Sequence, residues 1–168
     1  MASPCELYLV RHAIAAERGS EWPDDTKRPL TERGIGRFKE GVKGLRRLDV
    51  TIDEIFTSPL LRARQTAELL AAGVEGKPPV KLLDALAPGH TSSSIMANLA
   101  KVAKRRRIAL VGHEPELGEL AAYLIGAGRA LPFKKGGICR IDVGSLTSKR
   151  AASLVWFVTP NVLRQLKK

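Results

Sequence analysis

The segment Leu7-Tyr8-Leu9-Val10-Arg11-His12, near the amino terminus, is the part of the sequence from which the fold is best predicted. Four apolar or aromatic residues favour a strand, and no turn residue separates them from the arginine and histidine that follow. A strand that ends in this way brings two basic side chains to one point. A basic strand end that faces solvent is the alternative interpretation, because short motifs also match by chance.

The length and composition are those of an ordinary globular protein. The chain has 168 residues, of which 44% are hydrophobic and 27% charged, so we expect one domain over residues 1–168. Cys5 and Cys139 match no metal-binding spacing and are typical of buried thiols in a reducing compartment. The sequence contains neither a secretion signal at its start nor an apolar run of membrane-spanning length. We therefore predict a cytoplasmic protein.

The net charge of +11 predicts an anionic partner. Nucleic acid, a membrane surface and a phosphorylated substrate would all satisfy it. The densest basic run, Lys104-Arg105-Arg106-Arg107, has no neighbouring aromatic residues on which bases could stack, and it follows a helical segment. We interpret this run as a solvated helix end, and expect a phosphorylated protein or small molecule as partner, without nucleic acid or membrane.

Short apolar runs alternate with amphipathic segments along most of the chain. Runs over 54–57, 80–83 and 108–111 predict strands that follow the first one, and the helices between them favour a parallel sheet. Helices are expected to begin at Thr31, at Ser58-Pro59, at Thr91 or Ser92, and at Pro115. The runs 138–143 and 153–158, joined by 144–150, predict two antiparallel strands before a last helix over 160–168. The fold class is therefore α/β, with a mostly parallel sheet and an antiparallel C-terminal strand.

Three strand ends carry residues suited to phosphate chemistry. Arg11 and His12 follow the first strand, Arg62 lies in the first turn of the helix after the second strand, and His113 follows the run 108–111. Arg64 points about 200° away from Arg62 around that helix, so it should have a different role. The carboxyl ends of parallel strands line one crevice, where two arginines and the amino ends of helices bind phosphate well.

The two histidines distinguish catalysis from binding. A histidine flanked by cations is disfavoured from protonation, and its free nitrogen can attack phosphorus. For His113 alone, a hydrogen-bonded core histidine is the alternative. The polar connection over 13–28 is unusually long for a compact domain, which is typical of a functional loop.

The sequence lacks the motifs that are typical of other kinds of catalysis. The three histidines include neither an H-x-x-x-H nor an H-E-x-x-H spacing. No G-x-x-x-x-G-K-[ST] loop and no G-x-S-x-G turn is present. Metal catalysis, nucleotide hydrolysis and a serine nucleophile are therefore not expected.

Four segments resemble the motifs of the histidine phosphatase superfamily, the phosphoglycerate mutase-like proteins. They are 9–13 (Leu-Val-Arg-His-Ala), 29–34 (Pro-Leu-Thr-Glu-Arg-Gly), 58–67 (Ser-Pro-Leu-Leu-Arg-Ala-Arg-Gln-Thr-Ala) and 111–113 (Val-Gly-His). The segment 133–137, the Thr159-Pro160 ending and the short length resemble the SixA-type phosphohistidine phosphatase branch. This resemblance implies a three-layer αβα fold. Ala13 departs from the glycine usual in the family, which should matter only if that position requires a positive φ.

The resemblance also implies a mechanism without metal or cofactor. His12 would attack phosphorus and form a transient phosphohistidine, which water hydrolyses. Arg11, Arg62 and His113 would bind the phosphoryl oxygens, with His113 as a cationic donor.

The general acid is less clear from the resemblance. Larger members use a loop carboxylate, for which Asp84 is the candidate here and Glu17 and His90 are weaker ones. Asp84 as a loop residue that caps or faces water is the alternative. SixA-type proteins lack a well-defined acid, and an imidazole leaving group, with a pKa near ~6.5 once protonated, needs little help. The expected substrate is phosphohistidine in a protein, and the alternatives are a small-metabolite phosphomonoesterase and a non-catalytic polyanion-binding module.

Overall fold

The computed structural model describes residues 4–147 and 152–167, which form six strands and five α-helices. The strands are β1 (Cys5–Arg11), β2 (Glu54–Thr57), β3 (Val80–Leu82), β4 (Arg107–Gly112), β5 (Ile138–Val143) and β6 (Ser153–Val158). The helices are α1 (Glu32–Leu45), α2 (Leu61–Gly73), α3 (Ser92–Val102), α4 (Glu116–Ile125) and α5 (Pro160–Gln165). Short 3₁₀ turns span Asp25–Lys27, Arg46–Leu48 and Asp84–Leu86.

The strands form one sheet in the order β3-β2-β4-β1-β5-β6. The first four in this order are mutually parallel, β5 is antiparallel to β1, and β6 is antiparallel to β5. The predicted α/β fold with an antiparallel C-terminal strand is confirmed. Part of the predicted connection over 144–150 lies outside the described residues.

Strand β1 lies between β4 and β5, and its side chains contribute to both layers of the core. Leu7 and Leu9 pack with α3 and α4 on one face of the sheet. Tyr8 and Val10 pack with α1, α2 and α5 on the other face. Because successive side chains of a strand point to opposite faces, this apolar segment holds the three-layer αβα arrangement together.

The helix starts follow the predicted caps at Thr31 and Thr91. The start predicted at Ser58-Pro59 is wrong, because α2 begins only at Leu61. The N–H of Ser58 donates to the carbonyl of Val111 at 3.0 Å, so this residue still follows the sheet. Arg62 nevertheless remains in the first turn of α2.

The parallel strands β1, β2 and β4 end at the same edge of the sheet. Arg11 is in register with Gly112 at the end of β4, and the N–H of His12 donates to the carbonyl of Gly112 at 3.0 Å. This edge therefore brings residues far apart in sequence next to each other.

Both cysteines are buried and free. Among the described residues, no helix has the length and apolar character that would be needed to cross a membrane.

Gly44 allows α5 to lie directly against α1. A Cβ at this position would lie 2.0 Å from the carbonyl oxygen of Leu163. Gly36, on the same helix, has open space around the equivalent position. The glycines of α1 are therefore not equivalent, although each one lowers helix propensity.

We predict that Gly44→Ala lowers the free energy of unfolding by about 1–3 kcal/mol, because two backbones must separate. Gly36→Ala should raise it by about 0.5–1 kcal/mol, through propensity alone. Thermal unfolding of both variants beside the wild type measures the difference. Equal destabilisation by the two substitutions would contradict the close approach at Gly44.

Candidate active site

His12 follows β1 directly and is 5% exposed. Its Nδ1 lies 2.7 Å from the carbonyl oxygen of Ala13. A carbonyl oxygen can only accept, so Nδ1 carries the proton and the lone pair of the neutral ring lies on Nε2. Among the described residues, Nε2 has no hydrogen-bond partner. His12 is thus held in the tautomer that a nucleophile requires.

His113 lies beside His12, with 5.2 Å between the ring centroids and 54° between the ring planes. Its Nε2 is 2.7 Å from the hydroxyl of Ser58, which also accepts the N–H of Leu60 at 3.3 Å. Ser58 can donate its proton to Nε2, and in that arrangement the His113 proton lies on Nδ1. Sequence reasoning missed this role of Ser58, because that residue resembled a helix cap.

Both imidazoles are held neutral by their surroundings. Burial lowers the pKa of His12 to about 4, and the charges of Arg62 and Arg11 act in the same direction. Burial also lowers the pKa of His113 to about 3, with His12 and Arg62 contributing. The protein groups therefore do not favour the cationic His113 that the family resemblance implied. A phosphate dianion would have to supply the opposing charge.

The two predicted arginines lie on either side of the histidines. Arg11 donates from Nη1 to the carbonyl of Phe133 at 2.7 Å. Arg62, only 2% exposed, donates to the carbonyl and the carboxylate of Asp25 at 2.8 and 3.0 Å. Arg64, predicted to point away from Arg62 and to have a different role, is exposed, whereas Arg62 is buried.

A few buried polar side-chain atoms of the described residues lack a hydrogen-bond partner, and all of them belong to one cavity. They are Nε of Arg11, Nε of Arg62, Nδ1 of His113 and Oε2 of Glu116. Buried donors are normally paired, because an unpaired one costs about 1–3 kcal/mol. Three unpaired nitrogens around one cavity are suited to bind an anion with several oxygens.

This cavity, which we call the phosphate pocket, has a volume of about 620 Å³. Its lining includes Arg11, His12, Ala15, Ala16, Glu17, Arg18, Arg28, Arg62, Pro88, His113, Glu114, Pro115, Glu116 and Lys135. The structure thus brings together His12, Arg11, Arg62 and His113. Several of the lining residues come from the connection over 13–28.

Asp84 and His90 are both exposed, and neither is among the residues that line the phosphate pocket. Glu17, the other weaker candidate, does line it. The role of Asp84 as general acid stays a prediction.

Two further carboxylates, Glu114 and Glu116, line the pocket and lie at the start of α4. Glu114 accepts the N–H of Gly118 at 2.8 Å, and burial raises the pKa of its carboxyl group. Glu116 accepts the N–H of Gly89 at 2.8 Å. Neither carboxylate was singled out from the sequence.

Asp25 is the main residue of the site that sequence reasoning missed. Its carboxylate contacts Arg62 at 3.0 Å, Arg28 at 2.9 Å and Arg18 at 3.5 Å. The length of the 13–28 connection was a signal that this loop is functional, but it did not identify the residue. Asp25 fixes the direction in which the buried Arg62 points.

Thr66 connects α2 to the chain beyond His12. Its hydroxyl accepts the N–H of Ala13 at 3.0 Å and donates to the carbonyl of Arg62 at 2.7 Å. Ala13 is not among the residues with positive φ, so alanine at this position causes no backbone strain.

In the part of the chain that the structure describes, no group of three or more His, Cys, Asp or Glu side chains is arranged to hold a metal ion.

We predict that the ring protons of His12 and His113 keep their chemical shifts between pH 8 and pH 5, because both pKa values are lowered to about 4 or below. An ordinary histidine would become mostly protonated across this interval. Proton NMR of the wild type, with His12→Ala and His113→Ala for assignment, measures the titration. A midpoint near 6.5 for either residue would contradict the electrostatics described above.

Comparison with known proteins gives the family. Residues 7–88 match the model of the histidine phosphatase superfamily, branch 1, and this range includes Arg11, His12 and Arg62. An uncharacterized protein of Picosynechococcus is 42% identical over 144 residues, which is 83% of this chain and 86% of that protein. The phosphohistidine phosphatase SixA of Escherichia coli is 24% identical over 164 residues, 96% of this chain and 98% of that protein.

Solved structures give the same fold. The protein histidine phosphatase SixA, complexed with tungstate, superimposes with a TM-score of 0.81 at 24% identity, covering 94% of this chain and 99% of that one. The matching family model, the similar proteins and the shared fold agree with the motifs at the three strand ends. This chain belongs to the histidine phosphatase superfamily, branch 1.

Proposed function

We propose that this phosphatase removes the phosphoryl group from phosphohistidine in a protein, through a phosphohistidine intermediate on His12. The observation that carries the proposal is the set of unpaired buried nitrogens of Arg11, Arg62 and His113 around the phosphate pocket. A phosphoryl group offers several charged oxygens, which would give each of these donors a partner.

The first step uses the lone pair on Nε2 of His12. A new N–P bond forms at this atom, while the bond between phosphorus and the substrate imidazole breaks. The electron pair of that bond passes to the leaving imidazole, which takes up a proton from water. The arginines stabilise the charge on the phosphoryl oxygens in the transition state. Nδ1 of His113 donates a further hydrogen bond to them, which its neutral tautomer allows.

In the second step, water attacks the phosphorus of phospho-His12. The N–P bond breaks, Nε2 recovers its lone pair, and inorganic phosphate leaves. The hydrogen bond from Nδ1 to Ala13 holds the ring in place through both steps. The same residues thus serve the formation and the breakdown of the intermediate.

The leaving group favours phosphohistidine over an ordinary phosphomonoester. An alkoxide needs a proton from a well-placed acid, whereas an imidazole leaves with little assistance. Asp84 lies outside the lining of the pocket. Of the carboxylates that line it, Glu114 accepts from Gly118, Glu116 accepts from Gly89, and Glu17 is exposed to solvent. The likeness to SixA supports the same choice of substrate.

A small-metabolite phosphatase is the second candidate, because a pocket of about 620 Å³ accommodates a small phosphate ester as well. A polyanion-binding module without catalysis is less consistent with a neutral His12 whose Nε2 has no partner. The cytoplasmic location expected from the sequence also stays a prediction.

We predict that a metal-free assay with a chelator present shows the highest kcat/KM for phosphohistidine peptide, by about tenfold or more over phosphoserine peptide and sugar phosphates. The physical reason is that only the imidazole leaves readily without an acid. Release of inorganic phosphate at one pH measures all three. His12→Ala should reduce every rate by about a thousandfold or more.

A preference for the sugar phosphates would favour the small-metabolite alternative. Binding of phosphate without turnover of any substrate would favour the binding module.

A further inference from the structure

A second cavity, which we call the α1–α5 groove, opens next to the phosphate pocket and has a volume of about 360 Å³. It is lined by α1, by α5, by the segment 134–136 and by the residues that follow His12. The reaction at His12 does not use this groove.

The floor of the groove is apolar. Phe38 of α1, Leu163 of α5 and Ile138 of β5 line it, and each is at most 5% exposed. Ile14, partly exposed, adds a further apolar side chain near His12. A groove of this kind accommodates an apolar side chain of a partner.

The rim of the groove is positively charged. Its cations are Arg37, Lys134, Lys135 and Arg164, and none of the described residues in the lining is a carboxylate. In the described part of the chain, none of these cations forms an ion pair. By contrast, Lys167 on the same side of the protein pairs with Glu40 at 2.8 Å, outside the groove. Arg164 acts through space on Glu40 and lowers the pKa of that carboxyl group. Arg37, Lys134 and Lys135 therefore carry most of the positive charge that no carboxylate of the described residues pairs.

The groove is continuous with the phosphate pocket. Lys135 lines both cavities, and Ala13, which lines the groove, directly follows His12. The N–H of Gly136 donates to the carbonyls of Arg11 and His12, both at 3.1 Å, so the groove wall is fixed to the catalytic strand end. A chain that places a phosphorylated side chain in the pocket can thus continue into the groove.

We infer that the α1–α5 groove binds an acidic segment of the phosphorylated protein substrate. An apolar side chain of that segment lies on the floor between α1 and α5, and its carboxylates contact the cationic rim. This inference rests on the proposed function, and it specifies the substrate as a protein with acidic residues around an apolar one. Nucleic acid fits less well, because the only aromatic side chain in the lining, Phe38, is buried and cannot stack on bases.

The test compares two synthetic phosphohistidine peptides of equal length. One carries a leucine among glutamates beside the phosphohistidine, and the other carries the leucine among lysines. The wild type should hydrolyse the acidic peptide with a kcat/KM about tenfold higher or more at low salt. The preference should shrink as salt is added, since exposed charges are screened.

Charge reversal on the rim locates the effect. Arg37→Glu combined with Arg164→Glu should abolish the preference for the acidic peptide, mainly through KM. Lys39→Glu combined with Lys43→Glu is the matched control, because both lysines are exposed on α1, neither lines the groove, and the two variants change the net charge equally. Neither variant should change turnover of p-nitrophenyl phosphate, because none of the substituted residues lines the phosphate pocket.

Equal hydrolysis of the two peptides by the wild type would overturn this inference and leave the proposed function intact. So would an equal effect of the rim variant and the control in which Lys39 and Lys43 are replaced by glutamate. Turnover of p-nitrophenyl phosphate without hydrolysis of either peptide would overturn the proposed function, and this inference with it.

Discussion

The hydrogen bond between Nδ1 of His12 and the carbonyl oxygen of Ala13, at 2.7 Å, determines what chemistry the site can perform. It places the ring proton on Nδ1 and leaves the lone pair on Nε2, from which that atom can attack phosphorus. Burial and the charges of two arginines keep the ring neutral, with its pKa lowered to about 4. A neutral imidazole next to cations is therefore a property of this place in the fold.

The sheet and its loops hold that arrangement in position. The N–H of His12 donates to Gly112 of the neighbouring strand, while Thr66 of α2 binds the N–H of Ala13. Asp25 directs Arg62, and Ser58 directs His113. Each of the principal site residues is thus oriented by a partner from another part of the chain, which is the preorganisation that phosphoryl transfer requires.

Much of this could be predicted from the sequence, because periodic patterns record which side chains are buried. The apolar run before Arg11 predicted the central strand. The helical spacing predicted that Arg62 and Arg64 point in different directions, and the structure has the first buried and the second exposed. Because β1, β2 and β4 are parallel, Arg11, Arg62 and His113 lie at one edge of the sheet. The fold and the common location of these residues thus follow from general rules of packing.

The remainder depends on tertiary contacts that have no periodic signal. Asp25 lies in an irregular loop, and nothing in the sequence indicates that it pairs with Arg62. Ser58 looks like a helix cap, yet its hydroxyl contacts His113 and the helix begins later. Gly44 weakens α1 as a helix, but it allows the close approach of Leu163. In each case the partner lies far away in the sequence.

The most direct test of the central claim is to identify the phosphorylated atom in the intermediate. The protein would be mixed briefly with a labelled phosphodonor, denatured in alkali, which preserves phosphohistidine, and analysed by mass spectrometry and ³¹P NMR. The tautomer of His12 predicts a phosphoryl group on Nε2 of that residue, and no labelling in His12→Ala. A phosphoryl group on Nδ1 or on His113, or normal labelling of His12→Ala, would contradict the account.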